Sequence, residues 1–103
     1  MIPPHVTNQI HQVAKCFPDI QEILLFGSRA YGDYTERSDI DLAVIAPQMK
    51  EYQWLLFMER IEEVETLLKI DLIRWESAPV KLKEEIKKYY HTLYSAIGDS
   101  PPL

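Results

Sequence analysis

The stretch that decides the fold is residues 27–41, which read GSRAYGDYTERSDID. It follows the apolar run of residues 23–26, so we expect a buried strand that ends at Gly27, where the missing Cβ permits a tight turn and the close approach of a ligand. Ser28 then begins a short helical turn, which Gly32 ends. Backbone N–H groups at a helix start, together with the Ser28 hydroxyl, can hold phosphate oxygens. These residues form a candidate phosphate-binding turn.

Two acids follow this turn on the next predicted strand, residues 38–45. Because side chains alternate along a strand, Asp39 and Asp41 share one face. They repel each other, more strongly as water is excluded, so a positive group should lie between them. Mg²⁺ suits this place because it takes oxygen ligands, usually one or two carboxylates plus the phosphates of a substrate. Asp71, inside the apolar run of residues 70–73, is the candidate for a third acid.

Spacing excludes two other kinds of site. In a calcium loop that begins at Asp39, Val44 stands where Gly is required and Lys50 where Glu is required. A Walker loop would need Gly-Lys-Ser/Thr after the turn, which is absent here. Taken alone, the acids could be solubilising edge charges and the glycines an ordinary turn. Their order and spacing together indicate a nucleotide site.

The remaining sequence predicts an α/β (α+β) fold with a short mixed β-sheet flanked by helices. Apolar residues at helical spacing predict three helices: Val6 to Phe17, Trp54 to Leu68, and one that begins at Ser77-Ala78-Pro79. Further strands are expected at residues 69–75 and, at an edge, at residues 93–94. The segment between the first two strands is too short for a crossover helix, so this pair should be antiparallel.

Length and charge favour one small domain without general affinity for nucleic acids. We expect a single domain over residues 1–97 and a flexible tail over residues 98–103. Sixteen acidic and eleven basic residues give a net charge of −5, the wrong sign for binding DNA or RNA backbones.

The lone cysteine and the short apolar runs favour a cytoplasmic protein. Cys16 excludes an internal disulfide, and its position on an apolar helical face predicts a small core residue. No apolar run approaches the length of a membrane span, and no basic segment precedes an apolar one at the N-terminus, so no membrane association is expected.

The motifs at residues 27–32 and 38–42, with Asp71 on a later strand, resemble the DNA polymerase beta-like nucleotidyltransferase superfamily. Within it, the chain is similar to the smallest members, the minimal nucleotidyltransferases, from the first helix to Tyr94. The resemblance implies a palm-like fold of a short mixed sheet with flanking helices. Larger relatives add a helical domain that binds the acceptor, and we expect none within these 103 residues.

The resemblance also implies the site residues and the reaction. The substrate would be ATP, and the cofactor Mg²⁺, with two ions possible. The implied metal-binding and catalytic acids are Asp39, Asp41 and Asp71, the last of which could instead act directly as a base. The implied nucleotide-binding residues are Gly27, Ser28, Arg29 and Ser38. Arg29 or Arg37 could neutralise phosphate charge, although a surface arginine without a specific role is the alternative.

The same resemblance implies a partner. Minimal nucleotidyltransferases commonly accompany a small helical HEPN-type protein, encoded by a neighbouring gene, in toxin–antitoxin pairs. The chain would then be the antitoxin and would attach AMP to a hydroxyl of the toxin, with the acceptor surface supplied by a second polypeptide or a homodimer. One alternative is a non-catalytic regulatory subunit that binds nucleotide or protein and neutralises its partner by contact. Another is transfer to a small hydroxylated molecule such as an aminoglycoside.

Overall fold

A computed structural model describes residues 2–96 of the protein. Helices and strands follow one another along the chain in this order: α1 Pro4–Lys15, β1 Glu22–Phe26, α2 Ser28–Tyr31, β2 Ile40–Ile45, α3 Glu51–Glu62, β3 Ile70–Arg74, a 3-10 turn Trp75–Ser77, α4 Val80–Lys88 and β4 His91–Ser95. The tail predicted for residues 98–103 lies outside the described residues, so the division of the chain stays a prediction. None of the described helices is long and apolar enough to cross a membrane.

The four strands form one mixed sheet in the order β3-β2-β1-β4. β1 is antiparallel to both β2 and β4, whereas β2 and β3 are parallel. The predictions of a mixed sheet, of an antiparallel first pair and of an edge strand near residue 93 are therefore confirmed. The C-terminal end of β1 meets the N-terminal ends of β2, β3 and β4 at one end of the sheet. We call this the site end.

The two faces of the sheet are buried to different extents. The large core lies between the sheet and helices α1 and α3, and its fully buried side chains include Ile10, Leu25, Leu42 and Phe57. On the opposite face, α4 contributes Ile86 to a smaller cluster with Leu24 and Ala43. One face therefore supplies most of the buried apolar side chains.

Helix α3 ends earlier than the apolar spacing predicts. It stops at Glu62 instead of continuing to Leu68, and Leu67 is fully exposed. Local polar groups replace the helical hydrogen bonds: the N–H of Glu65 donates to the Gln9 side chain at 2.8 Å and that of Leu68 to Thr66 Oγ1 at 3.0 Å. Side-chain acceptors of this kind compete with a helix for its backbone donors.

The expectation that Cys16 belongs to the core is wrong. Helix α1 ends at Lys15, and Cys16 is its exposed C-terminal cap residue. The Cys16 thiol donates to the carbonyl of Gln12 at 3.5 Å, one turn earlier in the helix.

Two substitutions, one within α3 and one beyond its end, should differ sharply in their effect on stability. Phe57→Ala removes a fully buried ring and should lower the free energy of unfolding by about 3–5 kcal/mol. Leu67→Ser changes an exposed side chain and should stay within about 0.5 kcal/mol of the unsubstituted protein. Urea unfolding followed by circular dichroism measures both. Similar losses for the two variants would mean that α3 continues and buries Leu67.

Candidate active site

The predicted phosphate-binding turn lies directly against a predicted metal-binding acid. Gly27 leaves β1 with φ 75° and ψ −158°, a backbone conformation that residues with a Cβ rarely adopt. A Cβ at Gly27 would lie 2.5 Å from Oδ2 of Asp41. Helix α2 begins at the next residue, Ser28, and Gly32 ends it in the left-handed region. Glycine is therefore required at position 27 by both its backbone angle and the approach of the carboxylate.

Strand pairing brings the three predicted acids to the site end of the sheet. Asp41 is opposite Phe26 in the antiparallel pair and opposite Asp71 in the parallel pair. Asp39 lies just before the first residue of β2, so it is exposed and outside the strand ladder. Asp39 is near enough for its charge to act on Asp41, but because it precedes the strand, its placement on the same face of β2 stays a prediction. Asp71 lies on the same face of the sheet as Asp41.

The surroundings of Asp41 make its ionisation difficult. Partial burial is the largest cause that raises the pKa of Asp41 above its usual value, and the negative charges of Asp71 and Asp39 raise it further. The positive charge of Lys69 acts in the opposite direction on this pKa. The Nζ atom of Lys69 lies 3.4 Å from Oδ1 of Asp71, so this lysine is the nearby cation that the structure records.

The donor set fits a hard divalent cation that binds together with a nucleotide. Across residues 2–96, no three His, Cys, Asp or Glu side chains converge into a ready-made metal cage. Mg²⁺ is ordinarily bound by one or two carboxylates with substrate phosphates and water rather than by an all-protein cage. The mutual repulsion that acts on Asp41 is the electrostatic situation that such a cation would relieve.

Arg29 is buried, which contradicts the alternative of a surface arginine without a specific role. Only 3% of its surface is exposed, and its guanidinium donates to the carbonyl of Ser38 at 3.0 Å. It also donates to the carbonyls of Thr35 and Glu36, and it lies 4.9 Å from the centre of the Tyr34 ring. The predicted contact between Arg29 and nucleotide phosphates stays a prediction.

Ser38 closes the loop between α2 and β2. Its hydroxyl accepts the N–H of Thr35 at 3.0 Å, and its own N–H donates to the carbonyl of Thr35 at 3.2 Å. Arg37 is exposed on this loop. Contacts of Ser38 or Arg37 with a nucleotide stay predictions.

Sequence reasoning missed three residues at the site end. Lys69 immediately precedes β3 and stands two residues before Asp71, and this spacing is a signal that could have identified it. The ring of Tyr89 stacks on that of Tyr31 in α2, with centroids 5.0 Å apart. The Nε2 of His91 hydrogen-bonds to the carbonyl of Ala30 at 3.1 Å. The last two depend on the position of β4 beside β1, which the sequence predicted only as an edge strand.

A groove opens beside the third acid. It has a volume of about 410 Å³ and lies between the end of α3 and β3. Its lining includes Lys69 and Asp71 among apolar side chains such as Met58 and Leu68. The groove borders β3, an edge strand, on the side of α3, whereas alternation with Ile70 and Leu72 turns the Asp71 side chain toward the opposite face of the sheet.

The protein-family model "Polymerase beta, Nucleotidyltransferase" matches residues 8–97. The chain belongs to this family. The resemblance inferred from the turn and the acids is thereby confirmed, as is the fold of this nucleotidyltransferase. Membership implies a nucleotide substrate and usually a divalent metal.

Solved structures similar to this nucleotidyltransferase include toxin–antitoxin complexes. A toxin–antitoxin with AMP-PNP is 27% identical with a TM-score of 0.68, and the likeness covers 90% of this chain and 76% of that one. A Shewanella oneidensis structure of a tri-AMPylated HEPN toxin in complex with an MNT antitoxin is 25% identical with a TM-score of 0.62, and the likeness covers 91% and 73%.

Two curated relatives from Methanocaldococcus jannaschii carry the name "Putative protein adenylyltransferase". One is 40% identical over 60 residues, which make up 56% of this chain and 60% of that protein. The other is 62% identical over 26 residues, or 25% of this chain and 26% of that protein. The match thus spans about three-fifths of one relative's length and about a quarter of the other's.

The contact between Gly27 and Asp41 should make position 27 more sensitive than position 32. Gly27→Ala should lower the free energy of unfolding by about 1–3 kcal/mol through its positive φ alone, and the collision with Asp41 should add to this loss. Gly32→Ala is the matched control, because Gly32 also has positive φ but no atom within 4 Å of an added Cβ.

Chemical denaturation of both variants measures the difference. In an Asp41→Ala background, the excess cost of Gly27→Ala over Gly32→Ala should fall, since the colliding carboxylate is gone. The excess that remains should come from the backbone of Gly27, whose ψ of −158° makes its positive φ less accessible to a residue with a Cβ than the left-handed helical angles of Gly32. An unchanged excess would mean that the contact with Asp41 does not contribute to the requirement for glycine.

The raised pKa of Asp41 predicts that Asp41→Asn stabilises the protein at neutral pH. When the pKa of a carboxyl is higher in the folded than in the unfolded state, the free energy of unfolding falls as the pH rises from the unfolded-state pKa to the folded-state pKa. The variant should therefore melt higher than the unsubstituted protein at pH 7, without nucleotide or metal. This gain in melting temperature should vanish as the pH falls toward 3.8, the ordinary pKa of an aspartate. Thermal melts across this range, with Asp19→Asn as control, measure it; a gain independent of pH would contradict the electrostatic cause.

Proposed function

We propose that the protein is a Mg²⁺-dependent nucleotidyltransferase that moves AMP from ATP onto a hydroxyl of a HEPN-type partner and acts as that partner's antitoxin. The observation that carries this proposal is how closely Gly27 approaches Asp41: a Cβ added at Gly27 would lie 2.5 Å from Oδ2 of the Asp41 carboxylate. The turn proposed to bind phosphate thus lies beside a carboxylate whose ionisation is disfavoured, which supports the proposal. Nucleotidyl transfer requires phosphates and a cation to be held at adjacent positions.

In the proposed reaction, the acceptor hydroxyl oxygen forms a bond to the α-phosphorus of ATP. The bond between that phosphorus and the oxygen bridging to the β-phosphate breaks, and pyrophosphate leaves. The hydroxyl proton passes to the carboxylate of Asp71 or to solvent. The protein forms no covalent bond to the substrate in this reaction. It contributes mainly by positioning the reactants and by stabilising the charge of the transition state.

Each proposed group has a distinct task. Ser28 and the N–H groups that begin α2 bind and orient the terminal phosphates. Asp39 and Asp41 would hold Mg²⁺, and Asp71 could join them for a second ion. When bound, Mg²⁺ neutralises phosphate charge and lowers the pKa of the acceptor hydroxyl.

The proposed acceptor side is the open edge of β3. The side chain of Asp71 is 40% exposed and stands on an edge strand, so a hydroxyl-bearing segment could reach it from solvent. The partner class is supported by the solved relatives, one of which contains a HEPN toxin that carries AMP groups. The net charge of −5 disfavours a nucleic-acid acceptor.

Mass spectrometry can test the proposal directly. The protein mixed with ATP, Mg²⁺ and a HEPN-type partner should raise the partner's mass by one or more adenylate groups. Asp39→Asn and Asp41→Asn should each reduce the initial rate by at least about 100-fold, as expected for loss of a group that acts on the transition state. Asp19→Asn is a matched control, because Asp19 precedes β1 at the end of the sheet opposite Gly27.

A complementary measurement separates catalysis from binding. Neutralisation of the partner by the Asp39→Asn/Asp41→Asn double variant, without any mass change, would overturn the catalytic proposal in favour of contact inhibition. Loss of both neutralisation and mass change in that variant, with complex formation retained, would support catalysis.

A further inference from the structure

A buried arginine connects the phosphate-binding turn with the loop that leads to the predicted metal-binding acids. Arg29 lies on α2, one residue after Ser28, and is 3% exposed. Burial of a charged group is costly unless hydrogen bonds compensate it, and the guanidinium has such partners. Its Nε donates to the Ser38 carbonyl at 3.0 Å, and Nη2 donates to the carbonyls of Thr35 and Glu36 at 3.4 and 3.3 Å.

Asp39 depends on this loop more than the other two acids do. Asp41 and Asp71 belong to paired strands, so the sheet fixes their backbone. Asp39 lies before β2 and outside the ladder. On its C-terminal side, the next residue is held by a hydrogen bond from its N–H to the carbonyl of Lys69 at 2.8 Å. On its N-terminal side, the Ser38 carbonyl belongs to the peptide group that leads into Asp39, and Arg29 holds that carbonyl.

We infer that Arg29 is a positioning residue for Asp39, and that it acts through the Ser38 carbonyl rather than by binding phosphate itself. The inference rests on the proposed function, because it assigns Asp39 the task of holding the cation. Through Arg29, the helix that begins at Ser28 and the peptide before Asp39 are parts of one hydrogen-bonded unit. Movement of Asp39 relative to bound phosphates would require these hydrogen bonds to break.

The chemistry of the contacts explains why an arginine occupies this position. A guanidinium has five N–H donors in a planar fork, and here one group reaches three carbonyls of a single loop. The Tyr34 ring, 4.9 Å from the guanidinium carbon, adds a cation–π contact. A lysine ammonium in the same place could reach fewer of these acceptors with suitable geometry.

Metal-dependent nucleotide binding gives the first test. The probe is α,β-methylene-ATP, whose affinity is measured by calorimetry with and without Mn²⁺. Without metal, Arg29→Gln should bind within about twofold of the unsubstituted protein. The gain in affinity that Mn²⁺ provides should fall about 10–100-fold, as for loss of a group that orients a metal ligand. In an Asp39→Asn background, Arg29→Gln should have less than about a twofold further effect.

Hydrogen exchange gives a second test that needs no ligand. Arg29→Gln should speed amide exchange in residues 35–39 by about tenfold or more, while β1 stays unchanged, since local opening frees the loop without unfolding the sheet. The exchange rate of these residues in Arg29→Lys should lie between those of the unsubstituted protein and Arg29→Gln. Arg60→Gln is the matched control: it removes an arginine from α3, and neither measurement should change. If Arg29→Gln proves too unstable, Arg29→Lys carries the same comparison.

Three outcomes decide the inference. Unchanged exchange in residues 35–39 would overturn it. A loss of metal-free affinity in Arg29→Gln as large as that in Ser28→Ala would also overturn it, because Arg29 would then bind phosphate. A failure of the unsubstituted protein to bind nucleotide or metal counts against the proposed function instead, and hydrogen exchange then decides by itself whether Arg29 holds the loop before Asp39.

Discussion

The close approach between the Gly27 backbone and the Asp41 carboxylate is the constraint on which the site depends. Antiparallel pairing sets Phe26 opposite Asp41, so the residue after Phe26 meets the carboxylate across the two strands. A side chain at position 27 would occupy the place of the carboxylate. The same glycine has the positive φ that redirects the chain from β1 into α2. Gly27 therefore brings the start of α2 beside Asp41. Neither the turn nor the strand that carries Asp41 would produce this arrangement alone.

The electrostatics of the acids lower the stability of the fold at neutral pH and would favour the proposed binding of a cation. Burial and two neighbouring carboxylates disfavour the charge on Asp41, and Lys69 relieves this only in part. A small domain has little stability in reserve, so such a cost is significant. It is consistent with a site that binds a cation and polyanionic phosphates together, because binding converts a repulsive cluster into an attractive one. Sites of this kind commonly exchange stability for activity.

Much of this arrangement could be predicted from the sequence because it depends on local rules. Alternation along an apolar strand singled out Asp41 and Asp71, which the structure sets opposite each other, whereas Asp39 precedes the strand to which the sequence assigned it. The burial of Arg29 could not be predicted, since it arises when residues 35–38 fold back over α2. The early end of α3 depends on Gln9, which is distant in sequence. Tertiary contacts override local propensity in both cases.

The core residues of β2 also determine the position of the acids. Ile40, Leu42 and Val44 are fully buried against α1 and α3, whereas Asp41 alternates with them onto the other face. A slip of β2 by one residue would turn Asp41 into the large core and expose the apolar set. The free energy of burying three aliphatic side chains thus opposes any register that misplaces the acid. The sheet can consequently hold a repulsive carboxylate in place because hydrophobic packing on its opposite face fixes the strand.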